Sequence, residues 1–387
     1  MIKKIGLINR VSRKLKAGHG TIDYTFVPCR RKQPLNKNFL ATILYMALGI
    51  SLLLAASQAG TGLAEAADVD AGFQQETLLQ RRAALESRLV ECGPGPYAGQ
   101  YSESLTRCAQ GDIVMFSGLA CLAARLAGDD KTADARCRDV ALSQDGSGRF
   151  WRGASRIGDE EPRSFSRDMA RGVLAYFLAE GAVNPDPEAR LRARDSARRW
   201  IGWMQGEGQG RLCAPVGPDA CYLAQGIRSL MYYVFKKLDV LPPRSTPLGW
   251  RIHLASHHPY YGLPLEIGFS PRGNSLNLKA ISLLLLRVAT PPFDKSGNRF
   301  LDEVSEVLGM RDSGNAFFRF LDEGATPWVI RRTLERCPVE RPEPEHDRRD
   351  FQWQRYSEDG VWMHTDGHDC VFMINLILSY QNGRLAW

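Results

Sequence analysis

The chain of 387 residues contains no Cys-x-x-Cys pair, no G-x-S-x-G, no G-x-x-x-x-G-K-[ST] and no H-E-x-x-H. The first absence removes zinc-ribbon and thioredoxin-type sites, which need two closely spaced thiolates. The others remove the nucleophile elbow of serine hydrolases, the phosphate loop of NTPases and the paired histidines of zincins. Alternating β-branched runs are scarce, so little sheet is expected. A basic excess is also missing from most of the chain. The formal charge is +7, but residues 1–66 hold ten Lys/Arg and two Asp/Glu, which leaves 40 basic and 41 acidic residues in 67–387, a net of −1. That balance offers nothing to neutralise phosphates, and no nucleic-acid partner is expected.

What residues 1–66 do contain is an apolar run, Phe39 to Ala56, with Lys32 and Lys37 before it and the small-x-small pattern Ala64-Glu65-Ala66 after it. These are the parts of an export signal, cleaved before Ala67. Left uncleaved, the run would be a short anchor, the one expected route to a membrane. Residues 1–34 are long and basic for a signal, and a start at Leu35 would give a compact one. Residues 1–66 therefore read as an extension plus signal peptide. Residues 67–387 read as a single domain, periplasmic or secreted. Of nine cysteines, eight follow the signal, an even number that suits disulfides in an oxidising compartment. Cys213 and Cys221 bracket a Pro/Gly turn, Cys92 and Cys108 bracket another, and Cys121 and Cys137 join neighbouring helices. Cys337 and Cys370 are left as the fourth pair.

Apolar helical patterns alternate with polar ones along 105–385. IVMFSGLACLAARLAG ends at Gly128 and is followed by a polar helix from Asp129-Asp130. Ser166 caps a helix on which Met169, Val173 and Phe177 recur at four-residue spacing. Asn184 to Pro187 opens a polar helix with Trp200, Ile201 and Met204 inward. Residues 244–273 read as a loop, Asn274 or Ser275 caps the next apolar helix, and CVFMINLILSY closes the chain. Helices apolar all round must be buried, and amphipathic ones can cover them. An inner ring of helices inside an outer ring satisfies both demands. With that architecture, and with GDIVMFSGL, RSFSRDMARGV and MHTDGHDCVFMINLIL at its junctions, the chain resembles the (α/α) toroid class, the six-hairpin glycosidases and related polysaccharide lyases. The resemblance implies an all-α toroid whose substrate cleft lies at the mouth where inner helices begin.

Three apolar helices open with an acid: Asp112, Asp168 and Asp369. Paired carboxylates are what glycoside hydrolysis needs, one to protonate the leaving oxygen and one to activate water or attack the sugar. Asp112 and Asp168 are the expected pair, with Arg167 holding a substrate oxygen; helix capping is the competing role. His364, Asp366, His368 and Asp369 fall within six residues. They suit acid/base work or substrate binding, with His368 and Asp369 as catalytic candidates; His and Asp also ligate metals, but no metal or cofactor is assigned. His253, His257, His258, Tyr260, Tyr261 and Glu266 form a further group, the residue types a lyase needs to remove a proton beside a uronic carboxyl. Trp151 and Trp362, with Trp250, Trp328 and Trp353, are candidate sugar platforms. The expected partner is a polysaccharide or oligosaccharide. The expected activity is hydrolysis, with elimination by a Tyr/His pair, or non-catalytic glycan binding or envelope assembly, as the alternatives.

Overall fold

The computed structural model describes residues 72, 74–89, 100–102, 107–109, 112–159, 165–213, 221–291, 294–340, 355–356, 362–365 and 367–385. They belong to one compact unit, Val69–Trp387. The export signal, the Leu35 start, Cys92, Trp353 and Asp366 lie outside the described residues, as do the side chains of Cys108, Tyr261 and Trp362.

The described unit is all-α. A helix over 74–86, α1, is followed by α2 (Ile113–Ala127), α3 (Asp130–Leu142), α4 (Arg167–Leu178) and α5 (Pro187–Gln205). Then come α6 (Gln225–Lys237), α7 (Pro247–Leu254), α8 (His258–Phe269) and α9 (Asn274–Ala289). The chain ends with α10 (Lys295–Arg311), α11 (Ala316–Glu323), α12 (Pro327–Arg336) and α13 (His368–Gln381). Among the described residues the named strands form two small antiparallel hairpins, β1 (Gln100–Ser102) with β2 (Arg107–Ala109), and β3 (Arg355–Tyr356) with β4 (Trp362–Met363).

The boundaries follow local chemistry. Gly128 ends α2 with φ 82°, a left-handed residue that returns capping hydrogen bonds to Ala124 and Arg125. Asp129 caps α3, Ser166 caps α4 and Asp186 caps α5, each by accepting from backbone N–H groups of the first turn. α9 departs from expectation: it starts at Asn274 behind Gly273, with no side-chain cap. The segment 244–273 is also corrected. It is not a loop but holds α7, a single 3-10 turn and α8. Its prolines misled the reading. Pro247 and Pro259 occupy first-turn positions, where a missing N–H is harmless, and only Pro264 lies inside a helix.

α2, α4, α9 and α13 are buried on nearly every side, including all of Val371–Leu378. Each has a more polar neighbour in sequence. On α5, Ala189, Ala193, Ala197, Trp200 and Met204 turn inward at three- and four-residue spacing. Trp200 is the hub of an aromatic cluster with Phe150, Phe165, Phe177 and Phe235, ring centroids 5.5–6.4 Å apart. Packing runs from α2 to α4, α4 to α6, α6 to α9 and α9 to α11. Phe317 of α11 meets Phe372 of α13 at 5.7 Å, and α13 packs back on α2. Disulfides join Cys121 to Cys137, Cys213 to Cys221 and Cys337 to Cys370. No helix among the described residues is long and apolar enough to cross a membrane.

Candidate functional site

The start of α4 is built by its cap. Ser166 Oγ accepts from the N–H groups of Asp168 and Met169, which fixes Asp168 in the first turn, half-buried. One turn on, Arg171 donates from Nη1 to Asp168 Oδ1 at 3.0 Å and to the Arg167 carbonyl at 3.2 Å. Its Nε donates to Ser282 Oγ of α9 at 2.9 Å. Arg171 is 7 % exposed. Burial pulls its guanidinium below the ordinary arginine range; the Asp168 charge opposes this, Arg167 adds to it, and Glu266 of α8 is near enough to oppose it too.

Glu266 stands at the other side of that arginine. On α8, His258, Gly262 and Glu266 follow one another at four-residue spacing and share a face. His258 Nε2 meets Glu266 Oε1 at 3.0 Å. A Cβ on Gly262 would come within 2.2 Å of the His258 ring, so glycine is what lets the imidazole lie along the helix. Lys279 of α9 pairs with Glu266 Oε2. Burial pushes the Glu266 carboxyl up, but the hydrogen bonds from His258 and Lys279 outweigh it and hold the pKa at about 2. Lys279 and Ser282 are neighbours on one face of α9. That face therefore ties the Asp168–Arg171 pair to the His258–Glu266 pair.

Two groups that the sequence offered separately are thus joined, through Arg171, Lys279 and Ser282, which sequence reasoning missed. The signal existed in part: the four-residue spacing of His258, Gly262 and Glu266 is helical, but the prolines around it disguised it.

The remaining candidates are placed as follows. Asp112 is the N-cap residue of α2, half-buried, and makes no side-chain capping bond. α2 packs on both α4 and α13, so the helices that open at Asp112, Asp168 and His368 are neighbours. Arg167 and His257 are exposed. Tyr260 packs on Phe300 at 4.9 Å. Trp151 is buried, donates from Nε1 to Asp145 Oδ2 at 2.7 Å, and carries the Arg149 guanidinium over its ring at 3.7 Å. At 3 % exposure its ring offers no open platform to a sugar. His364, His368 and Asp369 are buried; Asp369 Oδ1 accepts from the Cys370 N–H at 2.9 Å. Gly367, beside them, lies against Leu85 and Leu89.

A second polar feature lies between α3 and α5, a cleft of about 720 Å³. On its wall the buried Arg125 donates to Asp130 and Glu180, both at 2.7 Å, and to Asp134. Burial alone would lower the pKa of this arginine; the three carboxylates more than reverse that. Tyr176 also lines the cleft, its phenol pushed up to about 12 by burial. Among the described residues, the one grouping of His, Cys, Asp or Glu tight enough for a metal is Cys121, Cys137 and Glu180. Its two sulfurs are already spent in a disulfide. Set beside known proteins, the chain matches no family model, no curated protein and no solved structure.

Proposed function

We propose that this chain is an exported glycan hydrolase with an (α/α) toroid fold, acting where α4, α8 and α9 meet. The observation that carries the site is the single network of Asp168, Arg171, His258, Glu266 and Lys279, drawn from helices about a hundred residues apart in sequence. The toroid is supported by the closed order of packing from α2 through α4, α6, α9, α11 and α13 back to α2. It is supported too by the partners α3, α5, α7 with α8, α10 and α12 that follow five of these helices in sequence, and by α1, whose Arg82 reaches Asn375 of α13. Export is supported by the signal-like N-terminal sequence and by three disulfides.

Hydrolysis divides the work between an ionised carboxylate and a protonated one. Glu266, held ionised by His258 and Lys279, suits water activation or attack on the sugar. The proton donor is then assigned to Asp112 first and Asp168 second, because Asp168 is already engaged as the counter-charge of Arg171. Both stand at helix starts beside the α2–α4 crossing, where Gly172 meets Val114 and Met115.

The test is a panel of neutral and acidic polysaccharides incubated with the mature protein, read as new reducing ends, with E266Q, D168N and D112N beside it. Release by wild type that E266Q loses, and that D168N or D112N loses with it, supports the reading. Retention of a glycan with no release makes the protein a binder, and neither binding nor release on any glycan sinks the proposal.

A further inference from the structure

Beyond the acid-rich network, a basic face lies on the other side of α6. Gly226, in the first turn of α6, lies against His258 and Glu266, whereas Arg228, two residues on, turns toward α7. There it is near enough to Arg251 to feel its charge. Burial, then Arg251, draws Arg228 below the ordinary arginine range. Arg251 in turn rests on the turn that precedes Arg211. Its Nη1 would be 3.2 Å from a Cβ on Gly210, a residue with φ 75°, so the glycine both makes the turn and leaves room for the guanidinium. Arg211 lies over the Tyr222 ring at 5.0 Å. Among the described residues none of these three arginines meets a carboxylate, and Glu207, on the same turn, pairs with none of them. Three buried arginines elsewhere are held by acids: Arg125 by three, Arg171 by Asp168, Arg287 by Asp302. Two large aromatic side chains on the same segments are open to solvent, Tyr222 and Trp250, the latter next to Arg251 in sequence, each 58 % exposed.

Like charges gathered without a counter-charge repel, and a fold tolerates them where a ligand supplies the anion. A guanidinium beside an open aromatic ring binds an acidic sugar in two ways, the cation to carboxylate or sulfate and the ring to the apolar face of the pyranose. We propose that Arg211, Arg228 and Arg251, flanked by Tyr222 and Trp250, form a subsite for the anionic groups of an acidic glycan. This rests on the glycan reading above and narrows it to uronate-bearing or sulfated chains. α6 connects the two sites: its first turn touches Glu266 and its next residues carry the arginine face.

The experiment is calorimetric titration of the full chain and of R228A/R251A with three probes: an oligogalacturonate, a neutral gluco-oligosaccharide of equal length, and inorganic sulfate. Melting curves check that the variant is folded, and R299A, an exposed arginine elsewhere, serves as control. The expected result is wild-type preference for the acidic oligomer by tenfold or more, weakened by salt, lost in R228A/R251A and kept in R299A. Equal binding of the acidic oligomer by wild type and the double variant overturns the subsite and leaves the glycan reading intact, as does preference for the neutral oligomer. Sulfate binding that depends on the two arginines, without oligosaccharide binding, keeps an anion site and overturns the glycan reading. No binding of any probe overturns both.

Discussion

Gly118 of α2 and Gly172 of α4 touch backbone to backbone: a Cβ on Gly118 would lie 2.0 Å from the Gly172 carbonyl oxygen, and one on Gly172 would lie 2.3 Å from that of Val114. No side chain can swing away to relieve such a clash, because the obstacle is main chain. Gly118→Ala and Gly172→Ala are each expected to force the two helices apart and to lower stability by about 3 kcal/mol, the upper part of the range for overpacking. Denaturant unfolding measures it. Once one substitution has separated the helices the second meets less resistance, so the double variant should lose less than the sum of the singles. Variants within 0.5 kcal/mol of wild type would mean that the helices do not cross there.

The network at Glu266 predicts a pH dependence. Its folded pKa, about 2, lies below the ordinary value of 4.5. A depressed carboxylate stabilises the fold fully above its unfolded pKa and loses that contribution as pH falls from about 4.5 toward 2. A shift of this size would be worth about 3 kcal/mol in a dry site. With the carboxylate a third exposed, screening leaves about 1 kcal/mol. E266Q should therefore melt below wild type at pH 7, and the gap should narrow as pH drops from 5 to 3. A gap that holds constant to pH 3 would mean the charge contributes nothing.

The helical architecture was legible because it rests on local signals. Met169, Val173 and Phe177 recur at helical spacing, Ser166 caps, and Val371–Leu378 is too apolar to be exposed; the structure buries these apolar positions and uses this cap. The Cys121–Cys137, Cys213–Cys221 and Cys337–Cys370 pairings were legible from loop composition and remainder. The joining of the site was not. Arg171 reads as one more residue on an amphipathic helix, and nothing local says that it meets Ser282, 111 positions on. Arg125 and Glu180, 55 positions apart, were invisible for the same reason. The glycine-rich turn at Asp145 is likewise held by contacts that spacing alone does not reveal. Asp145 accepts from Ser147, the Arg149 N–H and the Trp151 indole, and Phe150 enters the aromatic core.

Cys337 and Cys370 join the end of α12 to the third residue of α13 across a separation of 33. Closing a loop of that length removes unfolded-state entropy worth about 3–4 kcal/mol. C337A/C370A is expected to unfold at correspondingly lower denaturant, and Cys213–Cys221, with a separation of 8, to contribute about 1 kcal/mol less by the same relation. Equal effects would count against loop entropy as the cause.

Arg125 is nearly fully buried and holds Asp130, Asp134 and Glu180 together. Arg125→Met keeps the packed stem but leaves Glu180, its side chain 13 % exposed, with only Asn184 as a donor. A buried charge without its counter-charge costs about 3–5 kcal/mol. R125M/E180Q removes the stranded charge and should recover a large part of that loss. Measuring the two in parallel separates the ion pair from the packing: failure of E180Q to rescue would assign the effect to lost contacts of the guanidinium.

Asp168 can be tested so that structure and chemistry come apart. Asp168→Ala would leave Arg171 buried without a counter-charge and should destabilise by about 3–5 kcal/mol. Asp168→Asn keeps an oxygen for Arg171 Nη1 to donate to, and Arg171 retains Ser282 and the Arg167 carbonyl. Its loss should stay within about 1–2 kcal/mol, the difference between a charged and a neutral hydrogen bond. If the carboxyl of Asp168 acts on a glycosidic bond, D168N should nonetheless lose about 100-fold or more in turnover, the scale of general acid–base catalysis, with substrate affinity little changed. D112N, read in the same assay, distinguishes the two candidate donors: the variant that loses turnover while keeping affinity marks the proton donor. Were D168N and D112N both to turn over at wild-type rates, Asp168 would be a clasp for Arg171, and the chemistry would have to be sought at another carboxyl.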